Sequence, residues 1–163
     1  MITILELTTC HLEQAAPLFA SFRSTLRRFK NRMVEPDLEE GREEFAYFLE
    51  EKFPVYGAFV EHNLVGYIVC KVEGSLVWVE QIFVSELARK QGIATALFQR
   101  AERLSQFLGG ETLFHYVHPN NHGMIAFLRK QGYTVLNLIE VRKPFEGEEL
   151  TRTIQVGDET FDY

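Results

Sequence analysis

Val79-Glu80-Gln81-Ile82-Phe83-Val84 is an apolar, β-rich run, followed after a short gap by Arg89-Lys90-Gln91-Gly92-Ile93-Ala94 and a long amphipathic segment. A strand, a glycine turn and a helix start in that order expose backbone N–H groups that lack intrahelical partners and carry partial positive charge. Such a place cradles phosphate. Gly92 lets the backbone fold tightly and approach a ligand closely, while Arg89 and Lys90 add positive charge beside it. A pyrophosphate there would receive several hydrogen bonds at once. The same residues also suit an ordinary strand-to-helix connection carrying two solvated basic side chains.

The elements around this turn follow from periodicity. Ile2, Ile4 and Leu5 predict a short first strand, and Thr9 a helix N-cap. Leu12, Ala15, Ala16, Phe19, Phe22, Leu26 and Phe29 recur at spacings of three and four, which predicts a helix running to about Phe29. Pro36 and Gly41 predict an irregular link before a second helix that carries Phe45, Phe48 and Leu49. Three β-rich runs follow, Val55–Val60, Leu64–Val72 and Leu76–Val84, joined at His62-Asn63 and Gly74-Ser75. Links this short predict an antiparallel meander.

Beyond Val84 the pattern becomes helix, strand, helix, strand. Ile93, Leu97, Ala101, Leu104 and Leu108 line a helix face, Thr112–Val117 is a strand, and Met124–Lys130 is a helix that Gly132 ends. Tyr133–Val141 is expected to be a further strand. The tail Thr151–Tyr163, centred on Gly157-Asp158, is expected to form a hairpin or cover an edge, its own or that of a second subunit in a homodimer. The fold class is α/β, with a mixed, largely antiparallel central sheet flanked by helices and a hairpin-like C-terminal tail.

Composition bounds the function. The 163 residues are 46% hydrophobic and 25% charged, enough for one domain, residues 1–163, to bury a core unaided. Cys10 and Cys70 form no C-x-x-C pair and read as reduced thiols of a cytoplasmic protein. No basic region precedes an apolar run at the N-terminus, and eighteen apolar residues never adjoin, so neither secretion nor membrane spanning is expected. A net charge of −6 argues against nucleic acid as a partner. Arg23, Arg27, Arg28, Lys30 and Arg32 precede Glu35, Asp37, Glu39, Glu40, Glu43 and Glu44; these runs are either solvated faces or an acidic rim that attracts an amine. His115, His118 and His122 have no nearby cysteine and no H-E-x-x-H pattern, so no metal is expected. His118 reads as a substrate contact or a plain exposed residue.

The strand Glu80–Val84 with Arg89-Lys90-Gln91-Gly92-Ile93-Ala94 resembles the pyrophosphate-binding motif of the GNAT superfamily of acyl-CoA-dependent N-acyltransferases, with alanine where a third-position glycine is commoner. Asn121, Ile125, Gly132 and Tyr133 match the spacing of that family's later block, and the element order matches from about Ile2 to Val141. The resemblance implies acetyl-CoA as cosubstrate. Ile82, Phe83 and Val84 would pair through their backbone with the pantetheine amides as an added strand does. Arg89, Lys90, Gln91, Gly92, Ile93, Ala94 and Thr95 would hold the pyrophosphate, and Asn121 would bond the cofactor's arm.

Acetyl transfer to an amine calls for a base and for a proton on the departing thiolate. The family often supplies that proton from a tyrosine on the later helix, where this chain has Leu128. Tyr116 and Tyr133 are substitutes by type, each equally readable as a core or interface aromatic; solvent could also protonate the thiolate. Glu80 is the candidate base, because relatives resembling diamine acetyltransferases carry a glutamate at this position. In strict alternation it shares a face with Ile82 and Val84, and apolar neighbours would raise its pKa. A sheet-edge carboxylate meeting water or an arginine is the competing reading. The expected function is N-acetyl transfer from acetyl-CoA to a primary amine of a small molecule or protein, by direct attack in a ternary complex. A non-catalytic acyl-CoA-binding or sensing module is the alternative, and another phosphate-ligand binder a third.

Overall fold

The β-rich runs of the first half form a five-stranded sheet in the computed structural model, which describes residues 1–163. Strands β1 (Ile2–Glu6), β2 (Val55–Val60), β3 (Asn63–Glu73) and β4 (Leu76–Val84) are antiparallel neighbours in that order. At the edge β5 (Leu113–His115) runs parallel to β4. Glu61 and His62 both adopt positive φ between β2 and β3, the backbone of a two-residue hairpin turn. The turn therefore lies one residue before the expected His62-Asn63.

Three helices cover this sheet. The first, α1 (Leu12–Phe29), ends at the expected Phe29, but a 3-10 turn at Thr9–His11 precedes it and is capped by Thr8, not Thr9. The second, α2 (Leu38–Glu50), begins at Asp37, whose carboxylate accepts the N–H groups of Glu39 (2.9 Å) and Glu40 (3.3 Å). Gly41 is thus inside the helix and not in the link. A Cβ there would overlap the Ala16 carbonyl oxygen and come within 2.9 Å of the Ala20 nitrogen, so its glycine serves close helix packing.

Phe19, Phe45 and Phe48 from these two helices meet Tyr67, Val69 and Phe83 of the sheet in one apolar cluster. Phe19 stacks on Tyr67 at 3.9 Å, and each such side chain stabilises the fold by roughly 1.5–3 kcal/mol when fully buried. By alternation Ile68 and Cys70 face the other way. There α3 (Ile93–Phe107) packs across β1 to β4.

The chain divides into two compact units, Met1–Ala126 and Phe127–Tyr163. The second opens on the last turns of α4 (His122–Lys130), which Gly132 terminates at φ +89°. The expected strand Tyr133–Val141 does not form: no ladder partner lies along it, and Val135, Leu136, Leu138 and Val141 are exposed. Strand preference is mostly a preference for a pleated surface to pack on, and the apolar run alone does not supply one. Arg142 instead clamps this segment locally through paired bonds of 2.8 and 2.7 Å to Glu148. The tail forms the expected hairpin, β6 (Thr153–Val156) with β7 (Glu159–Asp162), across Gly157 at φ +61°. No helix is long and apolar enough to cross a membrane.

Candidate functional site

Two strands part company at the centre of the first unit. β4 pairs with β3 along its whole length, but with β5 only through Val77, Trp78 and Val79, opposite Leu113, Phe114 and His115. From Glu80 to Val84 the second edge of β4 therefore has no strand partner. An edge of unpaired N–H and C=O groups accepts an extended ligand as an additional strand, and Ile82, Phe83 and Val84 occupy that stretch.

The open edge runs straight to a helix N-terminus. After Val84 the chain makes a short 3-10 turn (Glu86–Ala88), then takes φ +62° at Lys90 and +83° at Gly92. Gly92 is the N-cap of α3 and its carbonyl accepts the Ala96 N–H at 3.0 Å. No side chain caps this end, so the first-turn N–H groups of Ile93, Ala94 and Thr95 have no intrahelical partner. No atom lies within 4 Å of a Cβ built on Gly92. Uncapped donors, a positive dipole end and open space beside Gly92 fit a pyrophosphate. Arg89 is drawn back to the strand: its Nε donates to the Val84 carbonyl at 3.1 Å and its guanidinium lies 5.8 Å from the Phe83 ring centre. Gln91 bonds the Leu87 carbonyl, and Arg89 and Lys90 are both exposed basic side chains beside Gly92.

Glu80 and Tyr116 each stand two residues beyond the paired Trp78 and Phe114, where β4 and β5 separate. Glu80 is also a bulge: β3 pairs Cys70 with Val79 and Val69 with Gln81, leaving Glu80 as the extra residue. The strict alternation with Ile82 and Val84 is broken here. Its carboxyl pKa is nevertheless raised, by burial first, with Lys71 opposing and Glu73 reinforcing the shift. Lys71, pulled up chiefly by its 2.7 Å ion pair with Glu73, also feels both Glu80 and Tyr116. The fold thus gathers Glu80, Tyr116 and Lys71 at the fork, and Lys71 was not marked by its sequence context. Tyr116 is 67% exposed.

Asn121 caps α4, its Oδ1 accepting the Met124 N–H at 3.0 Å, which leaves the side-chain Nδ2 for other work. Leu128, at the position of the family's tyrosine, is buried. His115 stacks on Phe98 at 4.9 Å, and burial pushes its pKa down to about 4. His118 stacks on Phe29 at 5.6 Å.

A polar chain runs inward from β4. The Tyr67 hydroxyl donates to Gln81 Oε1 at 2.8 Å, Gln81 Nε2 donates to Glu44 Oε1 at 2.8 Å, and Arg23 bonds the same oxygen. No motif announces it, but one signal was available: Gly41, Glu44, Phe45 and Phe48 form the buried stripe of α2, and a carboxylate on such a stripe needs partners.

A family profile described as the acetyltransferase (GNAT) family matches residues 19–133. No curated protein sequence gives a match. Among solved structures, AAC(6')-Iy in complex with the bisubstrate analogue CoA-S-monomethyl-acetylneamine is 19% identical, with 89% of this chain and 99% of that one covered and a TM-score of 0.66. A ribosomal-protein-alanine N-acetyltransferase from Brucella melitensis biovar Abortus 2308 is 18% identical over 89% of this chain and 100% of its own, at a TM-score of 0.70. The PaiA N-acetyltransferase from Thermoplasma acidophilum in complex with coenzyme A is 19% identical over 80% and 88%, at 0.68. At these identities the likeness is one of fold.

Proposed function

The chain belongs to the acetyltransferase (GNAT) family, and from that premise we propose that it transfers the acetyl group of acetyl-CoA to a primary amine of a small molecule or protein, by direct attack in a ternary complex. Acetyl-CoA is the cosubstrate. The observation that carries the proposal is the unpaired edge Glu80–Val84, which ends at the uncapped N-terminus of α3.

When bound, acetyl-CoA supplies an activated acyl carbon. Ile82, Phe83 and Val84 offer backbone groups to its amides, and Gly92 to Thr95, with Lys90, neutralise the pyrophosphate. Arg89 shapes this turn through its bond to Val84, and Asn121 Nδ2 would bond the cofactor's arm. Glu80 takes the amine proton, since a half-buried carboxyl with a raised pKa is a better base near neutral pH than an ordinary one. Tyr116, at the same fork, returns a proton to the departing thiolate. A covalent acyl-cysteine is not part of this scheme, because burial pushes the Cys70 thiol up to about 12 and Cys10 belongs to the turn before α1.

Saturating acetyl-CoA should raise the melting temperature, and free thiol should appear when an acceptor amine is added. Gly92→Glu, which places a carboxylate against the pyrophosphate and a side chain at φ +83°, should abolish both. One observation favours a second reading: the family's usual proton donor is here the buried Leu128. A sensing module would keep the thermal stabilisation yet release no thiol with a broad panel of amines and peptides.

A further inference from the structure

The bulge at Glu80 switches the faces of β4. Val79 lies opposite Cys70 on the α3 side, next to His115, whose ring stacks on Phe98 of α3. Gln81 lies opposite Val69, a member of the apolar cluster shared with α1 and α2. Residues two apart in a regular strand share a face, so one extra residue must be accommodated between Val79 and Ile82. Two registers do this. Either Glu80 is the extra residue and Gln81 faces the core opposite Val69, or Gln81 is the extra residue and Glu80 takes that inward place. In the second register the Glu80 carboxyl leaves the fork between β4 and β5.

The inward place suits an amide. Tyr67, fully buried, donates its hydroxyl to Gln81 Oε1 at 2.8 Å, and burial keeps that hydroxyl protonated by pushing its pKa well up. On the other side Glu44 Oε1 accepts from Gln81 Nε2 at 2.8 Å, while Arg23 bonds the same oxygen. Glu44 Oε2 is buried without a hydrogen-bond partner. One neighbour thus offers a hydrogen and the other can only accept one, a pair of demands that a glutamine meets and a carboxylate does not. Glu80 in that place would set its charge against that of Glu44 away from water, where like charges repel strongly. Satisfying the amide and rejecting the carboxylate favour the same register.

We infer that Glu44 and Gln81 are positioning residues: Glu44, held by Arg23, draws the Gln81 amide into the core and thereby keeps the Glu80 carboxyl out at the fork. Their value to catalysis rests on the reading of Glu80 as the base, whereas the choice of register does not depend on turnover. Because they act through Glu80, their loss should cost nothing further in a protein that already lacks its carboxyl. Ile82 pairs with Ile68 in either register, so the edge offered to the cofactor should be unaffected.

Glu44→Gln is the deciding variant, because Arg23, the new amide and Tyr67 would then all offer hydrogens and invite the Glu80 carboxylate inward. The full chain would be assayed with acetyl-CoA and an accepted amine across pH as Glu44→Gln, Glu80→Gln and the double variant. Glu44→Gln should lower kcat by at least about tenfold, as a misplaced catalytic group does, and remove the acidic ionisation of Glu80 from the pH–rate profile, with KM for acetyl-CoA unchanged. The double variant should be no slower than Glu80→Gln alone, and Glu44→Asp, which keeps the charge, should keep the profile. Should Glu44→Gln fail to fold, Glu44→Met takes its place, since exchanging a buried charge for an apolar side chain is often neutral for stability. An unchanged kcat and profile, or losses that multiply in the double variant, would overturn the inference. If Glu80→Gln itself leaves the rate unchanged, or no amine is acetylated, it is the base or the transfer reading that fails. The crystal structure of the Glu44 variant then decides the positioning: Glu80 opposite Val69 sustains it, and Glu80 still bulged at the fork overturns it.

Discussion

Glu80 and Gly92 do different work at the residue scale. Gly92 holds a left-handed backbone that a side chain would strain, and its place in a turn between a strand and a helix was legible from its residue type. Glu80 was legible as a carboxylate in an apolar strand, but the bulge that turns it out of register was not. Its raised pKa gives a direct prediction. Glu80→Gln should lower kcat by about 10²-fold and remove one acidic ionisation from the pH–rate profile, with acetyl-CoA affinity unchanged. An identical profile in the variant would take Glu80 out of the mechanism. Tyr116 was named by residue type and Lys71 was not, and what joins both to Glu80 is the cross-strand pairing of β3, β4 and β5.

Among elements, the α1–α2 pair shows how a residue's meaning depends on its neighbour. Gly41 reads as a breaker by itself, yet the helix runs through it because Ala16 and Ala20 of α1 approach too closely for any side chain. Gly41→Ala has better helix propensity and should still destabilise the protein, by about 1–3 kcal/mol, as chemical denaturation would measure; a gain in stability would mean that the helices are free to separate. The same logic covers the missing strand at Tyr133–Val141. Its residues have the right preference, but a strand exists only through a ladder, and pairing partners are not written in local composition. The order and antiparallel pairing of the β2–β3–β4 meander were legible, because hairpin turns specify their own partners, while its bulges and the position of its first turn were not.

For the whole molecule, stability should carry the signature of His115. Burial holds its folded pKa at about 4, below the ordinary histidine value of 6.5, so between those pH values the unfolded chain binds more protons. This contribution is fully present above the unfolded value and is lost as pH falls towards about 4, a loss on the order of 3 kcal/mol. Urea denaturation from pH 7 to pH 4 should reveal it, and His115→Phe should flatten that part of the curve; an equally steep curve in the variant would assign the loss to the carboxylates. What the sequence determined by itself was local: helices and hairpins through their periods and turns, the strand-to-helix turn through one glycine and its flanks, and through these the family. Tertiary structure alone decided which distant residues share a space. The fork between β4 and β5 and the Glu44–Gln81 contact join segments tens of residues apart, and the forces behind them, ladder register and the need to satisfy buried charge, act only once the chain has closed on itself.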